Sequence, residues 1–308
     1  MELFNTKKYL SNYPDLQANG ITLKTAYKHF INCGLNENRT FQELSLHNFC
    51  PKQKKTILFT NARDEPHLKE WCKFHLLLGF DCIYIFDHLS EPSISHQLFD
   101  FDPRICIFRI NLSSSKVKLK CINYAIEFSK AINPDWMLYL DADEFLVLNE
   151  HTSVQDFLNS FPPTADLIGV NWLMFGTNNL IKQPESIISH FTKSDLKLNQ
   201  HIKSFVRPNK IINFPNPHTY FVNGTAYNVK KEIIGITPFV HLNTEYYNVS
   251  AYIAHYIYQS EEMYIFRKIS KPDDLGGIRT FDPNIHTYYN EVENLSVKEK
   301  YSGRLKDE

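Results

Sequence analysis

From Thr56 onward, short apolar runs alternate with stretches whose apolar residues recur every three or four positions. Thr56 to Ala62, Cys82 to Phe86, Arg104 to Ile110 and Trp136 to Leu140 have strand length and are rich in β-branched and aromatic residues. Between the first two, Leu68, Trp71, Cys72, His75 and Leu76 share one helical face that stops at Gly79. Val117 to Ala131 has the same helical period. Strands alternating with helices predict an α/β fold, a mostly parallel sheet with flanking helices. In such sheets ligands collect beyond the carboxyl ends of the strands. Asn61, Arg63, Asp87 and Asp141 all fall at those ends, so their convergence follows from topology.

The pattern changes past Phe145. Leu167 to Phe175 and Ile202 to Val206 read as strands, Tyr252 to Ile269 as a long final helix closed by Lys271-Pro272, and residues 291–308 as a polar tail. Ahead of the sheet, residues 1–48 read as a small helical module, separable from the active site. Phe4, Tyr9, Leu10 and Tyr13 have helical spacing, Pro14-Asp15 breaks the run, and a second run from Thr22 to Phe30 stops at Cys33-Gly34. With Gly20, Ala26, His29, Glu37 and Arg39, these residues resemble a module found beside bacterial and viral glycosyltransferases. Pro51 to Lys55 reads as a linker, and the main unit as residues 54–290.

Composition narrows the class. An apolar fraction of 43% and a charged fraction of 22% are those of a globular protein. The net charge of −1, with both signs interspersed, lacks the concentrated basic face of a nucleic-acid binder. No run approaches the roughly 18 apolar residues of a membrane span, and Met1 to Lys8 lacks the apolar core of a signal peptide; a cytoplasmic location is expected. The six cysteines include no C-x-x-C pair, so reduced, mostly buried thiols are expected rather than a zinc site.

Asp141-Ala142-Asp143-Glu144 closes the apolar run Trp136 to Leu140. Two carboxylates at i and i+2 on a tight turn suit a hard divalent cation with positions left open for phosphate oxygens. Alone the motif is also that of a solvated acidic loop. Its surroundings carry more. Asn61 to Trp71, then His75, Gly79-Phe80-Asp81 and Ile83 to Asp87, resemble the opening of the family-two-like and family-ninety-two glycosyltransferases. Asp135-Trp136 through Leu146, Asn171-Trp172 with Phe175-Gly176, Lys203 to Pro208, Pro217-His218 and His255-Tyr256 are similar to later landmarks of that group, in its order. The resemblance covers about residues 56 to 270.

It implies a GT-A fold (the Rossmann-like nucleotide-diphospho-sugar transferase architecture), a nucleotide-sugar donor such as a UDP-sugar, a glycan, glycolipid or protein acceptor, and Mn²⁺ or Mg²⁺. It also implies that Asn61, Arg63 and Asp87 face the base and ribose, that Lys203 and Arg207 contact the donor, and that Trp172 lines the acceptor pocket. Asp141 would touch ribose or metal-bound water, Asp143 would bind the metal, and His255 would add a metal or phosphate contact. The sequence departs from the group at His88, where Asn is usual, and at Gln259, where Lys often precedes the Ser; Arg267 or Lys268 are candidates to replace that cation. Asp87 is also suited to capping a helix, and Lys203 and Arg207 to a solvated strand face. Hydroxyl attack needs a base within hydrogen-bond reach. His218 and Asp195 are the preferred candidates among Glu185, Asp195, His218 and Glu245. A metal-dependent sugar nucleotidyltransferase is the alternative enzyme, though such enzymes usually carry a Gly-rich loop after the first strand, and Asn61 to Pro66 has no glycine. A non-catalytic sugar-binding module is the third reading.

Overall fold

The computed structural model of the chain describes residues 4–34, 37, 39, 41, 55–98, 101–112, 116–271, 277 and 279–306. Three short helices come first: α1 (Thr6–Asn12), α2 (Pro14–Ala18) and α3 (Ala26–His29), which runs into a π-helical turn at Phe30–Gly34. An alternating half follows, with β1 (Thr56–Ala62), α4 (Leu68–Leu77), β2 (Cys82–Asp87), α5 (Ile94–Gln97), β3 (Ile105–Arg109), α6 (Val117–Ile132) and β4 (Trp136–Tyr139). Next come β5 (Glu144–Leu148), α7 (Val154–Asn159), β6 (Ala165–Met174), α8 (Ile187–His190), β7 (Lys193–Ser194), β8 (Ile202–Val206), β9 (Ile211–Asn216), β10 (Thr219–Val222) and β11 (Thr225–Asn228). The chain ends with β12 (Ala251–His255), α9 (Glu261–Tyr264), β13 (Val292–Glu293) and α10 (Ser296–Lys306).

The central sheet has nine strands in the order β3-β2-β1-β4-β8-β6-β12-β5, with β11 beside β6. Only β8 and β5 run against the others among the described residues. The α/β class with a mostly parallel sheet is therefore what the chain adopts. Its central strands are buried and mostly apolar because both faces are covered. Side chains alternate across the sheet: Leu58, Ile83, Ile85 and Leu138 enter one core with α4, whereas Ile57, Phe59, Tyr84, Phe86, Met137 and Tyr139 enter the other with α6. Helix α4 ends where Gly79 takes φ +91, a backbone state that side chains with a Cβ resist. Cys72 is a buried free thiol, Cys121 is buried as well, and Cys33 is half-buried.

Two C-terminal expectations are corrected. Residues 252–269 are not one helix. Ala251–His255 is a fully buried strand between β5 and β6, and Gln259, at φ 58, breaks the chain before Ser260 caps α9. An unbroken apolar run carries no period to separate strand from helix. Nor are residues 291–308 only a polar tail. Val297 and Tyr301, one helical turn apart, anchor α10 in the core, and the Tyr301 hydroxyl accepts from the Leu148 amide at 3.3 Å. Val297, Tyr301 and Leu305 were too sparse among so many charges to reveal the face.

The N-terminal helices close on themselves. Arg39 pairs with Asp15 at 3.0 Å and covers the Tyr13 ring, and Tyr9 hydrogen-bonds His29 at 2.9 Å. They also share a core with the sheet. Phe41 stacks on Phe108 at 5.3 Å, Phe30 meets Phe128 edge-on at 5.7 Å, and the Tyr27 hydroxyl donates to Glu127. The expected linker, apart from Lys55, lies outside the described residues. A chain starting at Lys54 would bare Phe108 and Phe128, at roughly 2–3 kcal/mol each. We expect it to melt on the order of 10 °C lower. An unchanged melting temperature would show that the module is energetically independent of the sheet.

Candidate active site

Strand β4 is hydrogen-bonded on both sides, and its last bond joins the Leu140 amide to the Phe59 carbonyl at 3.0 Å. The chain then leaves the sheet. Asp141 to Glu144 form a turn closed twice, by the Glu144 amide on the Asp141 carbonyl and by the Asp141 amide on the Glu144 carboxylate, each at 3.0 Å. Strand β5 returns along β12 in a register that sets Glu144 opposite His255. The acidic turn and the imidazole are thus brought together by sheet pairing.

Basic side chains surround the turn. Lys118, from the first turn of α6, reaches Asp141 at 2.6 Å. Lys203, from the antiparallel strand β8, lies 3.2 Å from Asp141 and 3.3 Å from Glu144 while only 1% exposed. Arg267, in a π-helical segment at Ile265–Ile269, donates to Asp143 at 2.8 Å and to Glu65 at 3.2 Å. His255 Nε2 stands 3.8 Å from the same Asp143 oxygen. Burial alone would neutralise these carboxyls. It pushes Glu144 up to about 7 despite Lys203, with Asp141 and Asp143 adding to the rise. For Asp141 the pull of Lys118 and Lys203 outweighs burial, and for Asp143 that of Arg267 and His255; both stay well below the usual carboxylate range. Burial works to discharge Lys203 as well, but Asp141 and Glu144 hold it charged.

Beside this cluster stands the half-buried ring of Trp172, near the end of β6. It stacks on His201 at 5.0 Å and meets His255 at 4.3 Å and His218 at 5.0 Å. Its buried indole N–H has no hydrogen-bond partner among the described residues. His218 Nδ1 lies 3.0 Å from the Ile202 carbonyl. A carbonyl only accepts, so Nδ1 carries the proton and Nε2 keeps the lone pair. Burial, then Lys203, depress this imidazole to about 4.

The other expected residues divide. Asn61, one residue before the end of β1, accepts from the Tyr139 hydroxyl at 2.9 Å. Arg63 is 54% exposed, with Asp64 at 3.9 Å as its nearest carboxylate. Asp87 is buried and committed locally: its two oxygens accept from the Ser90 and Ile94 amides at 2.8 and 3.1 Å and pair with Arg109 at 3.3 Å. Those bonds hold the loop ahead of α5. Asp195 stands apart from the cluster, its carboxyl raised to about 6 by burial and by Glu291. Arg207 is a correction. It lies over Trp136 at 4.4 Å and bonds the Ala165 carbonyl at 2.9 Å, at the amino ends of β4 and β6. Arg207 follows the end of β8, four positions on from Lys203, so the two cannot serve one ligand at the carboxyl ends.

Sequence reasoning passed over Lys118 and His201. Lys118 carried a signal. Helix starts favour acidic residues, yet the first turn of α6 has none, and Lys116, Lys118 and Lys120 crowd there instead. His201 carried none beyond standing two residues before Lys203. Among the described residues no three His, Cys, Asp or Glu side chains gather as a ready metal site, and no helix is long and apolar enough to cross a membrane.

No protein-family model matches the chain, nor does any curated protein. Among solved structures it is similar to TarS of S. aureus in complex with UDP-GlcNAc, at 14% identity and a TM-score of 0.30 over 50% of this chain and 45% of that one. The chain thus spans less than half of that protein's length. It is also similar to CMP:2-keto-3-deoxy-manno-octonic acid synthetase complexed with CTP (12% identity, TM-score 0.27, covering 71% of this chain and 80% of that one). Apo UDP-glucose pyrophosphorylase overlaps at 13% identity and a TM-score of 0.27, over 70% of this chain and 96% of that one.

The buried charges yield a test of their own. Lys203→Met leaves Asp141 with Lys118 and leaves the wholly buried Glu144 without its cation. Removing one partner of a buried pair typically costs about 3–5 kcal/mol. With Lys203 gone, Glu144 takes up a proton more readily than the wild-type group, which titrates at about 7, so the destabilisation should be largest at alkaline pH and shrink as pH falls towards about 7, below which Glu144 is neutral in both proteins. Melting curves of both proteins across pH check this. A loss that does not diminish towards acid pH would contradict the pairing.

Proposed function

We propose that the chain is a GT-A glycosyltransferase of the family-two-like and family-ninety-two group. It moves a hexose from a nucleotide-sugar, a UDP-sugar first among the candidates, to a hydroxyl of a glycan, lipid or protein acceptor with inversion. The observation that carries the reading is the meeting of Asp141 and Asp143 with Lys118, Lys203, Arg267 and His255 at the carboxyl ends of the strands, beside Trp172 and His218. Cations in a water-poor cleft stabilise the diphosphate as it leaves. Asp141, joined to Lys118 and Lys203, fixes the two lysines facing the donor. Trp172 offers an indole face and an unpaired N–H to a sugar, which binds through stacking and hydrogen bonds.

Asp143 and His255 would hold the divalent cation. The Asp143 carboxylate and the His255 imidazole, 3.8 Å apart and nearly buried, form a mixed oxygen–nitrogen pair that suits Mn²⁺ better than Mg²⁺. Such an ion neutralises the diphosphate and so stabilises the leaving group. Asp141 is committed to its two lysines and serves from the next layer. For the base we favour His218. Its Nε2 is free to take the acceptor proton, and the negative charge of a bound donor raises its affinity for that proton above the donor-free level.

Asp143→Asn keeps the shape and removes the charge. Donor turnover with Mn²⁺ should fall on the order of a thousandfold, several kcal/mol in barrier; turnover within a few fold of wild type would place the cation elsewhere. Trp172→Ala should depress transfer far more than donor hydrolysis, and a fold loss without that split would return Trp172 to a packing role. A general base must be unprotonated, so activity falls as pH drops through its pKa. The acid limb of kcat/KM for the donor, which reports the donor-free enzyme, is expected near 4, the value at His218. A limb near 6, abolished by Asp195→Asn, would move the role to Asp195.

A further inference from the structure

Residues Glu261–Lys271 cross the front of the site as a strap. Ser260 caps its start by accepting from the Met263 amide at 3.1 Å, and the helix widens to a π-helical turn at Ile265–Ile269. Such widened turns recur at functional positions. Beyond its first helical turn the strap is fastened by three ion pairs from two residues. Arg267 meets Asp143 at 2.8 Å and Glu65 at 3.2 Å, and Lys271 meets Asp64 at 2.9 Å. Apolar anchoring is thin here: Met263 and Tyr264 are buried, whereas Ile265 and Phe266 face solvent. One guanidinium nitrogen of Arg267, Nη1, is buried with no partner among the described residues.

The Asp143 oxygen that Arg267 holds is the one that also faces His255. A guanidinium and a divalent cation cannot share that oxygen, because two positive centres within about 3–4 Å in a buried setting repel strongly. We propose that Arg267 is an exchangeable latch: in the donor-free protein it occupies Asp143, and on binding it passes to the donor's diphosphate, with Nη1 as its spare donor, and releases Asp143. This rests on the glycosyltransferase reading and goes beyond it. Every charge then keeps a partner. Asp143 exchanges a guanidinium for a divalent cation, the guanidinium exchanges a carboxylate for a phosphate, and Glu65 stays with Arg267 throughout. A cation arriving without a diphosphate must strand Arg267, and a diphosphate arriving without a cation must strand Asp143. Metal and nucleotide are therefore coupled through one side chain, and the coupling is reciprocal.

The test is binding rather than turnover. Free Mn²⁺ is followed by electron paramagnetic resonance with and without UDP, in wild type, Arg267→Gln and Arg267→Lys, with melting temperature recorded for each. In wild type, UDP should tighten Mn²⁺ on the order of 10–100-fold. Arg267→Gln should bind Mn²⁺ alone more tightly than wild type, bind UDP more weakly, and lose most of the coupling. Arg267→Lys, which keeps the charge but not the fork, should fall between and serves if the glutamine variant folds poorly. Equal Mn²⁺ and UDP affinities in wild type and both variants would overturn the latch while leaving the donor site intact. Failure of wild type to bind either ligand would overturn both the latch and the glycosyltransferase reading.

Discussion

Four carboxylates cannot stand at the end of one sheet, largely out of water, unless cations stand between them. Glu65, Asp141, Asp143 and Glu144 do so here because Lys118, Lys203 and Arg267 arrive from three different elements. Each of those cations is itself too costly to bury alone. Mutual neutralisation ties together the start of α6, strand β8 and the strap after α9, which sequence separates by more than 140 residues. Lys268, half-buried on that strap, feels the same balance: burial and then Arg267 lower its affinity for a proton, and Asp143 and Asp141 partly restore it.

The sheet supplies the geometry. Inserting β8 antiparallel between β4 and β6 aims Lys203 back at the turn that ends β4. Pairing β5 with β12, and β12 with β6, brings His255 beside Glu144 on one side and Met174 on the other. Trp172 follows from the same register, since it stands opposite Ile253 on β6, two residues before the His255 pair. The charged centre and the aromatic wall next to it are consequences of one strand order. Chemistry at the leaving group and recognition of an acceptor would be set side by side by that order.

What the sequence disclosed follows the same physics. Strands β1, β2 and β4 and helix α6 were readable because buried parallel strands are continuous apolar runs and α6 keeps a helical period. Asp141 and Asp143 were readable from their place after such a run. Lys203 was ambiguous, since a lysine alternating with apolar residues looks like a solvated strand face; only a carboxylate partner remote in sequence explains its burial. Arg207, four residues on, shares the pattern and sits at the opposite end of the strand. A local pattern gives the face of a strand but not which end meets the ligand. The apolar run of β12 carries no period to separate strand from helix, and the cap-forming chemistry of Asp87 serves loop support and ligand contact alike.

The central claim is that the carboxyl-end cluster is the seat of a nucleotide diphosphate and its cation. A crystal of the protein grown with UDP and Mn²⁺, with data collected at the manganese absorption edge, tests it most directly. The account predicts one anomalous peak between the Asp143 carboxylate and His255 Nε2, with the diphosphate against Lys118, Lys203 and Arg267. A nucleotide bound elsewhere, with Asp143 still paired to Arg267 and no manganese beside it, would contradict it.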